Sequence, residues 1–268
     1  MATRSAELAI DVFTSAPDAF GVTSTVIAGQ SDAVLVDAQF AVPEARRLAE
    51  SIRGTGKRLT TIYVTHWHPD HWFGLGEVLA LYPEARVLAL PENVERIREA
   101  APGKIAQWKA SLGDLVPDEA VIPEPLTGDT IELEGEPLRI ALVGQGDTEG
   151  NSAVYVESAD TLITGDFTFN GTHVWLADAT PDQRREWLTN LDRLEAVNAR
   201  GVVAGHRSEA ARDDAGAIAG TRDYIRDFEC FVEESSSAEE LIERVKAKYG
   251  DRDLEVILQF SAAAAFPS

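Results

Sequence analysis

Residues 64–73 read VTHWHPDHWF and hold three of the chain's five histidines, at His66, His68 and His71. The run TIYVT at 61–65 leads into this segment and is rich in β-branched and aromatic residues, which predicts a buried strand. The histidines therefore follow directly on a predicted strand.

The spacing of these side chains suits metal coordination. In an extended backbone, residues i and i+2 point to the same side, so His66 and His68 can converge on one ion. Pro69 then turns the chain, and a bend can bring the adjacent Asp70 and His71 toward a second ion. Imidazole and carboxylate ligands together suit Zn²⁺, Fe or Mn.

Composition restricts the function classes. The 268 residues include 45 acidic and 24 basic side chains, a formal net charge of −21, which argues against binding nucleic acid or an anionic membrane. The single cysteine, Cys230, excludes an internal disulfide. No N-terminal apolar run is long enough for a signal peptide and no stretch approaches a membrane span, so a cytoplasmic protein is expected.

Short apolar segments separated by turn signals predict two groups of strands. They lie at 8–13, 22–28, 33–38, 61–65 and 85–90, and then at 130–134, 138–143, 152–157, 161–165 and 202–204. Helices are predicted after Pro43, after Gly74, over 91–112, over 181–197 with a Thr180–Gln183 capping box, and in two closing segments, the last capped by Ser237 and stopped at Gly250. This order favours two sheets packed face to face with helices outside.

The segment HWHPDH (66–71) matches the H-x-H-x-D-H signature of the metallo-β-lactamase superfamily, which the chain therefore resembles. Three further segments resemble the family's other motifs: LITGDF (162–167), with Asp166 as the metal-bridging aspartate; VVAGH (202–206), with His206 as the last metal-binding histidine; and VLVDAQ (34–39), with Asp37 as a structural aspartate. The resemblance implies an α/β fold, the four-layer αβ/βα sandwich of the metallo-β-lactamase type. It also implies a single domain over 1–268, with C-terminal helices from about 208.

Two metal sites are implied by the same resemblance. The first would use His66, His68, one further histidine and the bridging Asp166, and the second would use Asp70, His71, Asp166 and His206. One or two Zn ions are expected, with Fe or Mn as alternatives.

The further histidine is missing from the expected loop, which reads LVGQGDTEGNSAVYV (142–156) with Gln145 in its place. A glutamine amide is a poor Zn²⁺ ligand beside imidazole and suits a bound water or a harder cation better. Three outcomes stay open: two ions with Gln145 as a weak ligand, one ion in the second site, or completion of the first site by Asp147 or His173.

Other residues are candidates to contact the substrate. Lactone-hydrolysing members of the family often carry a tyrosine three residues after the bridging aspartate, where Phe169 stands here, so that hydroxyl is absent. Asn170 and His173 are polar candidates near the metal, and Trp72 can line an apolar substrate wall. A simple turn at Asn170 and core packing of Trp72 are the alternatives.

The implied activity is that of a metal-dependent hydrolase. A metal ion lowers the pKa of water from about 15.7 to roughly 7, so that metal-bound hydroxide can attack an ester, thioester, lactone or amide carbonyl of a small molecule. Asp70 would orient this hydroxide or move its proton, and His173 would protonate the leaving group.

Two alternatives keep the fold and change the role. One is a repurposed enzyme, an iron oxygenase or a biosynthetic cyclase or dehydratase, with an altered metal site. The other is a binding protein with a decayed site, which the presence of six of the seven usual ligands disfavours. The expected partner is a small-molecule substrate rather than nucleic acid or a membrane. The oligomeric state is open, a dimer being one alternative.

Overall fold

The N-terminal part of the chain builds a six-stranded sheet, the first sheet, in the computed structural model, which describes residues 8–267. Its strands lie side by side in chain order: β1 (Ala9–Thr14), β2 (Thr23–Ala28), β3 (Asp32–Val36), β4 (Arg58–Val64), β5 (Arg86–Ala89) and β6 (Glu124–Pro125). The first three strands pair antiparallel, whereas β3 to β6 pair parallel. The carboxyl ends of β3 and β4 therefore meet at one edge of the sheet.

A second sheet follows in the chain. Its strands are β7 (Thr130–Leu133), β8 (Glu136–Gly144), β9 (Asn151–Val156), β10 (Thr161–Ile163) and β12 (Gly201–Val203), in the spatial order β12-β10-β9-β8-β7. The strands β10 and β12 pair parallel, so their carboxyl ends also share an edge. A short parallel pair, β11 (Phe169–Asn170) with β13 (His206–Arg207), lies just beyond them.

The helices of residues 8–267 are α1 (Val42–Gly54), α2 (Leu75–Leu81), α3 (Pro91–Leu112), α4 (Pro181–Val197), α5 (Gly216–Glu234), α6 (Ala238–Tyr249) and α7 (Glu255–Ala265). The bounds predicted for α3 and α4 are confirmed, and so is the Thr180–Gln183 capping box. The prediction of two closing helices is wrong, because a third, α7, follows α6 and buries Leu258 and Ala262 against the second sheet's helices. None of these helices has the length and apolar character that crossing a bilayer takes.

Three apolar clusters separate four layers. Between the sheets, Val34 and Tyr63 of the first sheet pack with Val154 and Ile163 of the second. Outside the first sheet, α1, α2 and α3 contribute the second cluster, and outside the second sheet, α4 to α7 contribute the third. The predicted four-layer αβ/βα sandwich is therefore confirmed.

Parallel strand pairs position the candidate site. Asp37 follows β3 and His66 follows β4, while Asp166 follows β10 and His206 begins β13, just after β12. The two sheets meet closely here, and a Cβ atom at Gly205 would lie only 1.9 Å from Asp166 Oδ1. Glycine at this position lets the two strand ends approach each other.

Candidate metal centre

Four buried side chains form a first cluster at the common edge of the sheets: His66, His68, Asp147 and Asp166. Each offers one potential ligand atom, and these atoms lie within 4.8 Å of one another. Asp147 is 0% exposed and comes from the loop between β8 and β9, which brings the second sheet into contact with the histidine-rich segment.

A second cluster lies beside the first and consists of Asp70, His71 and His206. Asp166 stands between the two clusters. Its Oδ1 is 3.3 Å from His71 Nε2, and its Oδ2 is 3.2 Å from His206 Nε2 and 3.8 Å from His66 Nε2. This is the placement that a carboxylate shared by two ions requires.

Hydrogen bonds on the far side of each ring fix which nitrogen faces the clusters. Nδ1 of His206 donates to the Phe20 carbonyl at 2.7 Å, and Nδ1 of His71 donates to Asp37 at 2.8 Å. The Thr65 hydroxyl donates to Asp37, so its oxygen accepts from His66 Nδ1 at 3.0 Å. Each Nε2 is therefore turned toward the clusters, where it can bind a cation that displaces its proton, as in metal sites whose histidines are oriented by outer hydrogen bonds.

The buried carboxylates of the two clusters favour the presence of positive charge between them. Burial raises the pKa of Asp147 to about 6. Burial alone would lower the pKa of His206, but the carboxylates of Asp166 and Asp70 outweigh it and raise that pKa to about 10. Carboxylates packed this tightly are stable when cations or protons lie among them.

The residues fit a divalent cation. Within residues 8–267, Nε2 of His66, Nε2 of His71, Oδ1 of Asp166 and Oδ2 of Asp147 are buried without a hydrogen-bond partner. Unpaired buried acceptors that face one another are costly unless a cation satisfies them. A mixture of imidazole and carboxylate suits Zn²⁺, Fe²⁺ or Mn²⁺.

A cavity of about 350 Å³ opens over both clusters. Its floor includes His68, Asp70, Asp147, Asp166 and His206. Its walls are mostly apolar: Phe20, Phe40, Pro69, Trp108, Trp175, Ala177, Ile257, Phe260 and Ala264, with Lys104, Gln107 and Asp178 as polar members. The cavity is large enough for a small ligand.

The family model described as the metallo-beta-lactamase superfamily matches residues 17–206, more than half of the 268 residues. The chain belongs to this superfamily. The predicted family is therefore confirmed, and the two clusters occupy the place where its metal sites were expected.

Similar proteins include a hydroxyacylglutathione hydrolase of Synechococcus sp. (strain JA-2-3B'a(2-13)), 32% identical over 165 residues, which are 62% of this chain and 54% of that protein. An atrochrysone carboxyl ACP thioesterase of Cryptosporiopsis sp. (strain 8999) is 24% identical over 187 residues, 69% of this chain and 48% of that protein. The chain thus spans about half the length of these curated relatives. A metallo-beta-lactamase family protein of Thermus thermophilus has the same fold, with a TM-score of 0.66 at 23% identity over 97% of this chain and 91% of that one.

Gln145 stands in the loop where the superfamily's further histidine was expected, and among the described residues its side-chain Oε1 is buried without a hydrogen-bond partner. The Gln145 amide Nε2 donates to the Gly146 carbonyl at 3.0 Å, and its backbone carbonyl accepts from Asn190 Nδ2 at 3.0 Å. Two residues further on, Asp147 turns its carboxylate into the first cluster. Asp147 therefore lies with His66 and His68, which is one of the outcomes that the sequence left open.

The structure does not bring His173 to the clusters. Its Nδ1 lies 2.9 Å from the Tyr224 hydroxyl, and its backbone N–H donates to Asp253 near the start of α7. Burial lowers its pKa to about 4, so the ring is neutral at neutral pH. The sequence-based role as leaving-group acid is corrected accordingly, because β11 carries the chain away from Asp166 before residue 173 is reached.

The three residues expected to contact substrate lie elsewhere as well. Trp72 is 0% exposed in the core and donates to the Trp67 carbonyl. Phe169 is buried and stacks on the His206 ring, with the ring centroids 5.0 Å apart, so it supports a cluster histidine. Asn170 donates to the carbonyl of Arg212, a residue 42 positions further along the chain, so its amide is engaged in a contact between distant segments. None of the three is among the described residues that line the cavity.

The cavity walls contain residues that sequence reasoning missed. Trp175, Ile257 and Phe260 come from the loop before α4 and from α7, far in sequence from the histidine-rich segment. Trp108 of α3 also lines the cavity, edge-on to Phe20 and Phe40. The apolar residues of EVILQF (255–260) were the one signal that could have pointed to this wall.

Proposed function

We propose that this chain is a metal-dependent hydrolase that cleaves thioesters of small carboxylic acids. The observation that carries the proposal is the pair of clusters sharing Asp166 on the floor of a largely apolar cavity. The bound divalent ions would make a water molecule acidic and polarise a carbonyl oxygen.

Asp70 is the cluster carboxylate best placed to handle a proton. Its side chain is 18% exposed and lines the cavity, whereas Asp147 and Asp166 are 0% and 2% exposed. Asp70 Oδ2 is also 3.3 Å from His206 Nε2, which orients the carboxylate. We infer that Asp70 accepts the proton of the attacking water.

The chemistry of the leaving group favours a thioester. The water oxygen bonds to the carbonyl carbon, the carbon–sulfur bond breaks, and the thiolate leaves with the bonding electrons. Thiols have a pKa of about 8.5, so a thiolate can leave without first being protonated, unlike an alkoxide or an amide anion. Asp70 then releases the proton to solvent or to the product.

The cavity supports this choice. Along the described lining there is no tyrosine, and its histidines belong to the two clusters, so neither a tyrosine nor a free histidine is available there to protonate a poor leaving group. Phe169 stands where a tyrosine would serve in lactone hydrolysis, and it is buried. Lys104 is the one cationic side chain of the described lining, and its ammonium group lies over the Trp67 ring.

The names of two relatives point the same way. An acylglutathione and an acyl carrier protein conjugate are both thioesters, and the similar proteins are named for hydrolysing them. The aromatic walls formed by Phe20, Phe40 and Trp108 favour an acyl group with a ring or an alkyl chain.

The test compares a thioester with the oxygen ester of the same acyl group. Metal-loaded protein is incubated with S-benzoyl glutathione, S-benzoyl-N-acetylcysteamine and the matched benzoyl oxygen ester, and product release is followed by absorbance. We expect release of thiol well above that of alcohol. Asp70→Asn should reduce kcat on the thioester by about 10² or more, with kcat expressed per bound ion because Asp70 also belongs to the second cluster. Absence of thiol release, equal cleavage of the oxygen ester, or oxygen consumption by an iron-loaded sample would contradict the proposal.

A further inference from the structure

The two clusters have the same ligand chemistry. One half-site consists of His66, His68 and Asp147, the other of His71, His206 and Asp70, and Asp166 lies between them. We propose that Asp147 is a metal ligand in place of the missing histidine, and that its carboxylate makes this first half-site less selective for Zn²⁺ over Fe²⁺ or Mn²⁺ than a histidine would.

The contacts of Asp147 are those of a ligand. Its Oδ2 lies 2.6 Å from His68 Nδ1, and its Oδ1 lies 3.9 Å from His66 Nε2. Asn151 Nδ2 donates to Oδ1 at 2.8 Å, and the Asp147 backbone N–H donates to the Asp166 carbonyl at 3.3 Å. The side chain is therefore held against the histidines by bonds that leave Oδ2 free.

The His68 ring is oriented so that one of its nitrogens faces Asp147. Its Nδ1 faces Asp147, and its Nε2 lies 3.5 Å from Oδ2 of Asp178, which itself accepts from Trp175 Nε1 at 2.8 Å. An outer carboxylate at Nε2 favours the tautomer with the proton on that nitrogen. The lone pair of His68 then points to the same place as Asp147 Oδ2.

Exchanging imidazole for carboxylate changes the character of the half-site. Nitrogen ligands favour Zn²⁺, whereas carboxylate oxygen suits Mn²⁺ and iron, and two histidines with one carboxylate are a recurrent Fe(II) ligand set. Asp147, Asp166 and Asp70 together place three carboxylates around two ions. Zn²⁺ still binds more tightly than Mn²⁺ in most sites of this kind, so the consequence is a smaller ratio of the two affinities.

This inference rests on the metal centre of the proposed function but not on the reaction, so it is tested by ion binding alone. Metal-free full-length protein is titrated with Mn²⁺ and with Zn²⁺, with calorimetry and equilibrium dialysis giving stoichiometry and Kd. Electron paramagnetic resonance of the Mn²⁺ form shows whether the two ions are magnetically coupled. Native protein should bind two Mn²⁺ as a coupled pair.

Three variants decide the assignment. Asp147→Asn, which removes charge with little change of shape, should lose one ion and the coupled signal. Glu149→Gln, the matched control, removes a carboxylate from the same loop that pairs with Arg96 instead of the cluster histidines, and it should keep two ions. Asp147→His should keep two ions and raise the ratio of Zn²⁺ to Mn²⁺ affinity at one of them by about tenfold or more.

Two coupled Mn²⁺ ions in Asp147→Asn with native affinities would overturn the ligand assignment, and an unchanged affinity ratio in Asp147→His would overturn the selectivity. If Asp147→Asn does not fold, as judged by circular dichroism, the comparison of native protein with Asp147→His decides both points. Thiol release by the native protein is measured separately, so that failure of the hydrolase proposal is recognised independently of ion binding.

Discussion

Oδ2 of Asp37 accepts a hydrogen bond from Nδ1 of His71 at 2.8 Å, and this bond leaves Nε2 of that ring free to face Asp166. The same carboxylate accepts from the Thr65 backbone N–H and hydroxyl. One aspartate outside the clusters therefore orients histidines in both, directly for His71 and through Thr65 for His66.

Asp37→Asn is expected to weaken metal binding without unfolding the chain. Asp37 has a φ of 62°, a left-handed conformation that asparagine tolerates well, so the backbone can stay as it is. The amide can accept through only one atom, so the paired bonds to Thr65 and His71 cannot all be kept. We expect a loss of about 10- to 100-fold in affinity for at least one ion, measured by competition with a chelator. Native affinity for both ions would show that these bonds do not orient the ligands.

Gly205→Ala should destabilise the chain, because the new Cβ would lie 1.9 Å from Asp166 Oδ1 and 2.7 Å from the Gly165 carbonyl carbon. We expect a decrease of roughly 2–4 kcal/mol in the free energy of unfolding, together with weaker metal binding. Gly54→Ala is the control, since a Cβ there meets no atom within 4 Å. Urea denaturation of the two variants checks the contrast, and equal stabilities would refute the close approach.

His173 is expected to make stability depend on pH below neutrality. Burial lowers its pKa to about 4 in the folded chain, against about 6.5 when unfolded, so between these values the unfolded state takes up a proton that the folded state does not. The contribution is fully present above pH 6.5 and is lost as pH falls toward 4, by up to roughly 3 kcal/mol. His173→Gln should flatten that part of the stability profile in urea titrations at several pH values.

His173→Gln also tests whether His173 has a structural or a catalytic role. Since His173 does not line the described cavity, His173→Gln should keep the thioester kcat near the native value wherever it is folded. A large fall in kcat with an unchanged KM, in protein of native stability, would restore the role first predicted from the sequence.

Phe260→Ala tests the cavity wall that α7 provides. Phe260 is 44% exposed and packs against Trp175 at a ring-centroid distance of 5.5 Å, so its loss should barely affect folding. We expect KM for an aromatic acyl thioester to rise severalfold with little change in kcat. Val256→Ala on the same helix is the control, because Val256 is 39% exposed and lies outside the described lining. Equal effects of the two substitutions would argue against a substrate-facing role for Phe260.

Local signals were enough to predict the histidine-rich segment and the helices over 91–112 and 181–197. In each case neighbouring residues decide the outcome: the i, i+2 spacing brings His66 and His68 together, and the Thr180–Gln183 capping box starts α4. The fold, and the places of Asp166 and His206, followed from the resemblance to the superfamily, since a Gly-Asp or Gly-His pair by itself indicates only a turn or a cap.

What the sequence could not predict depends on contacts between distant segments. His173 is seven residues from Asp166 in the chain, yet the bridge from Thr172 to Asp253 carries it toward α7. Asp147 and Gln145 lie two residues apart in one loop. The hydrogen bond from Asn151 that orients the Asp147 side chain produces no periodic pattern in the sequence by which it could have been predicted. The walls formed by Trp175 and Phe260 required the packing of α7, which was missed altogether.

The ligands come from both sheets: His66, His68, Asp70 and His71 follow β4 of the first, whereas Asp147, Asp166 and His206 belong to the second. Ions held among them would act as cross-links between two halves of the chain that otherwise meet through apolar packing and hydrogen bonds, such as the one between the Tyr63 and Ser152 hydroxyls. This protein has a single cysteine, so metal coordination would take the place of a disulfide in stabilising the contact between the two halves. Unlike a disulfide, this cross-link could be removed by a chelator.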